Sequence, residues 1–295
     1  MLDYDALATL TAVLQTGSFE QAARRLHVTP SAVSQRIRQL EQRLGSPLVI
    51  RAQPCRATAV GERLLRHAQD VALLESRLAT TMPDILPAGV SPTLRIALNA
   101  DTLSTWFIEA LSTCSGLLFE LILDDQDHSR QWLERGEVVA AVTSEATAVS
   151  GCDVSSLGAL RYRATASPAF VQRYLTAGVN HDTLAAAPML VFNTKDRLQE
   201  HWMKQQGFAH VCPPAHGLPS SEAFVSAALA GMGWGMNPEL LVRDSLDSGL
   251  LVELIPDSPL DIPLYWQCPS LMRDALADLT AAVRQVAGEA LLEDR

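Results

Sequence analysis

Two helix starts fall in close succession between Gly17 and Gly45, and this pairing limits the fold more than any other feature of the chain. Ser18-Phe19-Glu20-Gln21 has the form of a capping box, in which the Ser18 hydroxyl and the Gln21 side chain satisfy backbone donors reciprocally. Phe19, Ala22, Ala23 and Leu26 then form the buried side of a helix over residues 19–26. After His27-Val28, Thr29 is a natural N-cap and Pro30 falls at the first helical position, where its missing N–H costs nothing. Val33, Ile37, Leu40 and Leu44, spaced 4, 3 and 4, give the next helix one apolar stripe and leave Ser31, Ser34, Gln35, Arg38 and Gln42 off it. Leu7, Leu10 and Leu14 place a further helix ahead of both. Two short helices joined by a tight turn, the second lined outside with hydroxyls, amides and guanidiniums, make a helix-turn-helix with its recognition helix.

Gly45-Ser46-Pro47 ends that helix, Leu48 to Arg51 is strand-like, Gln53-Pro54 turns the chain and Cys55 to Thr58 can return antiparallel. The hairpin reads as a wing, with Arg51 and Arg56 placed to meet phosphates or the minor groove. Charge supports this reading. The whole chain carries a net −10, yet residues 16–66 hold nine arginines against three glutamates, a local surplus of six. A basic module on an acidic body suits a polyanion for the first part and a different partner for the rest. The candidate DNA contacts are Ser18, Thr29, Pro30, Ser31, Ser34, Gln35, Arg36, Arg38, Arg51 and Arg56. From Thr58 to Met82 one long helix is expected, with Leu64, Val71 and Leu78 seven apart and Ala68 and Leu74 nearby. That recurrence suits a coiled-coil seam, the alternative being packing against its own domain. Pro83, Pro87, Gly89 and Pro92 mark a hinge.

With 295 residues, two or three domains are expected. No apolar run is long enough for a membrane span, and the first ten residues carry Asp3 and Asp5 where a signal peptide would need positive charge, so a cytoplasmic protein is expected. Five scattered cysteines with no C-x-x-C pair fit reduced thiols, and neither a metal nor a cofactor is called for.

From Leu94 onward short apolar strands alternate with helical stretches, which predicts βαβ units, a mostly parallel sheet and two α/β lobes. The residues 270–292 form a closing helix in this reading. Ligands in such sheets settle at the carboxyl ends of strands, beside the helix starts that follow. Applied strand by strand, that rule selects Asn99, Asp101, Thr102, Ser104, Trp106, Asp124, Asp125, Asp127, His128, Thr143, Glu145, Asn193, Ser221, Glu222 and Trp234. Helix-start N–H groups and hydroxyls suit a carboxylate, and the acids suit a cation, so a ligand bearing both, such as lysine or arginine, satisfies the set. An aromatic or dicarboxylic effector would call for arginines, and these strand ends carry none. The histidines at 181, 201 and 216 show no paired motif and read as caps or surface. An enzyme is the remaining alternative, but there is no G-x-S-x-G, no G-x-G-x-x-G after a strand and no P-loop lysine.

The residues Gly17-Ser18-Phe19, Ala22-Ala23, Leu26, Thr29 to Ser34, Ile37, Leu40-Glu41, Leu44-Gly45, Leu48, Arg51 and Thr58 to Gly61 resemble the signature of LysR-type transcriptional regulators. Asn99-Ala100-Asp101 with Thr105-Trp106, Arg135 to Val139, Ala141-Val142, Ser220 to Val225 and Leu264-Tyr265-Trp266 look like the lysine- and arginine-responsive branch of that family. The resemblance implies a homodimer or tetramer on partly palindromic double-stranded promoter DNA, answering to a small effector and acting on RNA polymerase. It implies an α/β fold class: an N-terminal winged helix-turn-helix over 1–58, a linker helix and hinge over 59–90, and a two-lobed periplasmic-binding-protein-like effector domain over 91–295. The lobes are expected at about 91–160 with 268–295, and at 161–267. A regulator of this type with another co-inducer stays open at this point.

Overall fold

The computed structural model describes residues 2–82, 91–124 and 129–293. The chain divides into two compact units, one running to Leu94 and taking in Gly116–Leu118, the other comprising Arg95–Ser115 and Phe119–Arg295.

In the first unit α1 (Tyr4–Thr16) is capped by Asp3, whose carboxylate accepts from the Ala6 N–H at 3.1 Å, and stops at Gly17 with φ 66°. Helix α2 (Phe19–Arg25) starts on Ser18, which accepts from the Gln21 N–H at 3.4 Å. The expected reciprocal arm from Gln21 is not made; the Ser18 hydroxyl instead donates to Glu20 at 2.8 Å, so the box is half present. Thr29 caps α3 (Pro30–Leu44) as expected, and Gly45 ends it in the left-handed region. Strands β1 (Val49–Ile50) and β2 (Arg56–Ala57) pair antiparallel as the wing. Glu41 of α3 anchors that wing, its Oε1 accepting from the backbone N–H of Leu48 at 2.8 Å and of Val49 at 3.3 Å. Leu7, Leu10, Val13, Ala22, Ala23, Val33, Ile37 and Leu48 form the core. Helix α4 (Ala59–Thr81) begins on the Thr58 cap, and at Gly61 any Cβ would run into the Leu48 carbonyl. The sevenfold stripe on α4 is divided rather than uniform. Leu64 and Ala68 pack against the core of their own unit, whereas Leu74 and Leu78 stay 47% and 48% exposed. Of the expected hinge residues, Pro83, Pro87 and Gly89 lie outside the described residues.

The second unit is built on β3 (Thr93–Leu98), β4 (Leu118–Leu123), β5 (Ala140–Thr143), β6 (Cys152–Ala166), β9 (Gly235–Pro238), β10 (Val252–Glu253) and β11 (Leu260–Pro269). Their order is β10-β6-β11-β5-β3-β4, with β9 also on β6. A second, two-stranded parallel sheet pairs β7 (Met189–Val191) with β8 (Ala215–Gly217). The expectation of a mostly parallel main sheet fails. Among the described residues β3 and β5 pair parallel, but β6 pairs antiparallel with β9, β10 and β11, and β11 pairs antiparallel with β5. The long β6 and β11 run through both lobes. Their register shifts between Leu264 and Tyr265, opposite Gly158, which has φ 104° and lies so close to the Leu292 carbonyl that a Cβ would collide with it. There the chain end is stitched in, Ala159 and Leu292 exchanging backbone hydrogen bonds of 2.9 and 3.0 Å.

Helices α5 (Ala100–Thr102), a π-helical turn (Leu103–Phe107) and α6 (Ile108–Ser112) run on from one another, and α7 (Ser129–Glu134) follows β4. The other lobe carries α8 (Pro168–Tyr174), α9 (His181–Ala186), α10 (Leu198–Gln205), α11 (Ser221–Leu229) and α12 (Glu239–Asp247). The closing helix α13 is shorter than expected, Ala277–Ala290, preceded by a 3-10 turn at Ser270–Met272. That turn is held to β6: Asp153 accepts from Arg273 at 2.7 and 2.8 Å and from Ser270 at 2.7 Å, which lowers its carboxyl to about 2 from an ordinary 3.8. The folded state therefore holds this proton less tightly than the unfolded chain, so the stabilisation is present above the ordinary value and lost as pH falls toward the folded one. Asp153→Asn is expected to flatten the acid side of the stability profile, measured as urea midpoints at pH 5 and pH 3; an unchanged slope would remove this carboxylate from the balance.

Candidate functional site

A cleft of about 380 Å³ opens between the two lobes of the second unit. Strand β3 runs out at Asn99, whose side chain caps α5 by accepting from the Thr102 N–H at 2.8 Å. That turn sets Asp101 against the opposite lobe, where its carboxylate accepts from the Ser221 hydroxyl at 2.6 Å and the Tyr162 hydroxyl at 2.9 Å. Burial pushes the Asp101 carboxyl up, and the bonds from Ser221 and Tyr162 pull it back. Burial, and then the Asp101 charge, push the Tyr162 phenol well above its ordinary value, so it stays a donor. Strand β4 ends on Asp124, with one oxygen fixed by the Trp132 indole N–H at 3.0 Å and the other met by the Lys195 ammonium at 3.3 Å.

The loop after β7 supplies the facing wall and is rigidified by its own side chains. Asn193 Oδ1 accepts from the N–H groups of Lys195 at 2.7 Å and Asp196 at 3.2 Å. Asp196 in turn accepts from Phe192 at 2.8 Å and from Leu198 at 3.0 Å, which starts α10. From β9 comes Asn237, fully buried, donating to Thr165 at 2.9 Å while its Oδ1 has no partner among the described residues. Phe192, Phe224, Met236 and Ile262 add apolar walls. Carboxylates and an amide oxygen can receive a donor-rich cation, and Lys195 and Arg197 give the rim positive charge. A zwitterion carrying an extra cation fits such a surface.

Of the residues selected from sequence, Asn99, Asp101, Asp124, Asn193 and Ser221 line this cleft. The rest of the described ones do not. Thr102 is buried behind the α5 start, and Ser104 faces outward on the π-helical turn. Trp106 is core, edge-on to Phe107, and Trp234 is core, 5.4 Å from Trp202. Thr143 is taken by Gln267 at 3.2 Å, Glu145 by Arg130 at 2.8 Å, and Glu222 is exposed. Asp125, Asp127 and His128 lie outside the described residues. The selected strand ends carry no arginine, but the cleft is also lined by Lys195 and Arg197, and by His201, which was expected as a cap or surface residue. The turn pattern Asn193-Thr194-Lys195-Asp196 was the available signal, since Asx side chains close loops after strands. Tyr162 sits mid-strand, where a rule about strand ends cannot reach.

On the first unit Ser31, Gln35 and Arg38 stand exposed on the outward side of α3, and Ser34 is half-buried. Thr29 and Ser31 share a hydroxyl hydrogen bond of 2.9 Å beside the exposed Pro30. Arg36 departs from this face: it lines a depression with Asp3 and Asp5 at the α1 start. The Arg51 guanidinium lies over the Phe19 ring, 5.0 Å from its centroid, and Arg56 is exposed on the wing. Ser18 spends its hydroxyl on the α2 start.

Residues 4–62 match the bacterial regulatory helix-turn-helix protein family, lysR type, and residues 87–288 match the LysR substrate binding domain. The chain belongs to the LysR family of DNA-binding transcription regulators. Within it the similarity falls on the ArgP/LysG branch. The chain is 45% identical over 287 residues to the HTH-type transcriptional regulator LysG of Mycobacterium tuberculosis, covering 97% of this chain and 94% of that one. The crystal structure of ArgP from Mycobacterium tuberculosis superposes with TM-score 0.80 at 43% identity, covering 100% of both chains. Full-length LysG from Corynebacterium glutamicum, solved with bound effector Arg, gives TM-score 0.67 at 36% identity, covering 99% of this chain and 100% of that one. Among the described residues no helix is long and apolar enough to cross a membrane, and no group of three or more His, Cys, Asp or Glu is placed to hold a metal ion.

Proposed function

We propose that the cleft takes a basic amino acid, arginine or lysine, and that its occupancy tunes how the helix-turn-helix engages promoter DNA of genes for amino acid export or metabolism. The observation that carries this reading is the full-length likeness to a regulator with arginine as bound effector. The Asp101 and Asp124 carboxylates and the Asn237 oxygen supply acceptors for the cationic group, and the α11 start with Ser221 suits a carboxylate. The rim cations favour an acidic effector as a second reading, but Arg197 is engaged by Glu200 at 2.6 Å and Lys195 by Asp124. A ligand shifts the regulator only through different affinity for its conformations, and the Asp101 bonds to Ser221 and Tyr162 are a contact that lobe opening would break. A thermal-shift screen of the twenty amino acids tests the reading, because a ligand of the native state raises the melting temperature. Arginine or lysine should give the largest rise; a rise with aspartate or glutamate alone would support the acidic reading instead.

Two copies joined through the exposed Leu74 and Leu78 of α4, as a homodimer or within a tetramer, would present two recognition helices to two half-sites. In this scheme Ser31, Ser34, Gln35 and Arg38 read bases and Arg51 and Arg56 hold the backbone. Arg51→Ala is expected to weaken binding to all duplexes alike and reduce the slope of log affinity on log salt by about 1. Anisotropy titrations on specific and random duplexes check it; a loss confined to one sequence would assign Arg51 to base reading.

A further inference from the structure

Resting on the basic-amino-acid reading, we infer that Lys195 is a built-in placeholder for the effector's cationic group, which the incoming amino acid displaces from Asp124. Three observations converge on this pair. First, Lys195 and Asp124 come from opposite lobes, 71 residues apart in sequence, and both line the cleft. The ammonium thus stands where a ligand cation would meet the same carboxylate. Second, the carboxylate is aimed. The Trp132 indole holds Oδ2 at 3.0 Å, which turns Oδ1 toward Lys195. Third, the contact is loose. At 3.3 Å, with side chains 49% and 24% exposed, it is longer than the 2.7–2.9 Å usual for a charge-assisted bond.

An internal cation at this distance keeps Asp124 paired while the cleft is empty and yields it to a better donor. Arginine offers a planar fork that can give a carboxylate two parallel N–H bonds, whereas free lysine offers only the kind of ammonium already present. Either ligand displaces the same Lys195 contact, so the placeholder opposes both basic amino acids alike, and any preference for arginine comes from its fork rather than from Lys195. Neutral ligands that do not need Asp124 escape the competition. Lys195 in this view acts by opposing cationic ligands at Asp124, with no such effect on neutral ones.

The test is calorimetry of L-arginine, L-lysine and L-citrulline against wild type, Lys195→Met, Asp124→Asn and the double variant. Methionine keeps the unbranched stem and removes the charge, and the half-exposed position tolerates it. Lys195→Met should bind arginine about fivefold tighter, equivalent to about 1 kcal/mol. It should tighten lysine by a similar factor and leave citrulline unchanged. In the Asp124→Asn background the gain from Lys195→Met should largely disappear, since the competition runs through that carboxylate. Equal or weaker arginine binding by Lys195→Met would overturn the placeholder while leaving the effector reading intact. Failure of wild type and Lys195→Met alike to bind either basic amino acid would remove the effector reading and the placeholder with it.

Discussion

Alanine at Trp234 is expected to lower the unfolding free energy by about 3–5 kcal/mol, the range for emptying a buried aromatic site. Trp234 is fully buried and packs at 5.4 Å against Trp202, whose indole donates to the Ser258 carbonyl at 2.8 Å. Its backbone ties β7 in place, donating to the Pro188 carbonyl at 3.1 Å and accepting from the Leu190 N–H at 2.7 Å. Gly233 beside it is so close to Leu190 that a Cβ would sit 2.7 Å from Cδ2, so the surroundings have little room to collapse into the void. The Trp234 indole N–H is buried without a partner among the described residues, and losing it recovers a small part of the cost. Urea unfolding followed by far-ultraviolet dichroism measures the change. A loss below about 1 kcal/mol, well under the cavity range, with arginine affinity abolished, would return this side chain to the cleft.

Asp124→Asn should reduce arginine affinity about tenfold to a hundredfold, which is about 1.4–2.7 kcal/mol. The amide keeps an oxygen for the Trp132 indole, so the change isolates the charge. Truncating one partner of a fully buried charge pair costs roughly 2–5 kcal/mol, and a carboxylate 24% exposed is expected below the top of that range. Citrulline, isosteric with arginine but neutral, should lose far less, so the discrimination between the two ligands collapses. Calorimetry that found both ligands weakened equally would mean that Asp124 shapes the cleft without meeting the cation.

The amino-terminal unit was legible because its determinants are local. Ser18, Thr29-Pro30, Gly17 and Gly45 act within one or two turns of where they stand, and the apolar stripes they bound all enter one core. The effector lobes were legible where apolar strands alternate with helices, as in β3 and β5. The outer half of β6 was not, because Asp153, Ser155 and Ser156 break any apolar run and its partner β11 lies about a hundred residues away. Antiparallel pairing of such distant strands leaves no short-range trace, and the expectation of a parallel sheet followed from that blind spot. For the site, strand ends led to Asn99, Asp101 and Asp124, but Trp106 and Trp234 share the same neighbourhoods and point into cores. Lys195 and Tyr162 reach the cleft only through the meeting of two lobes, which periodicity within either lobe does not encode.

The central claim is that occupancy of the cleft by a basic amino acid changes how the basic helix-turn-helix holds DNA. It is tested most directly by anisotropy titration of a duplex from the region upstream of the chain's own gene, over a range of salt concentrations, with and without saturating arginine. Affinity should fall steeply with salt, and the binding curve should shift when arginine is present. Superimposable curves with and without arginine, or no binding at low salt, would contradict it.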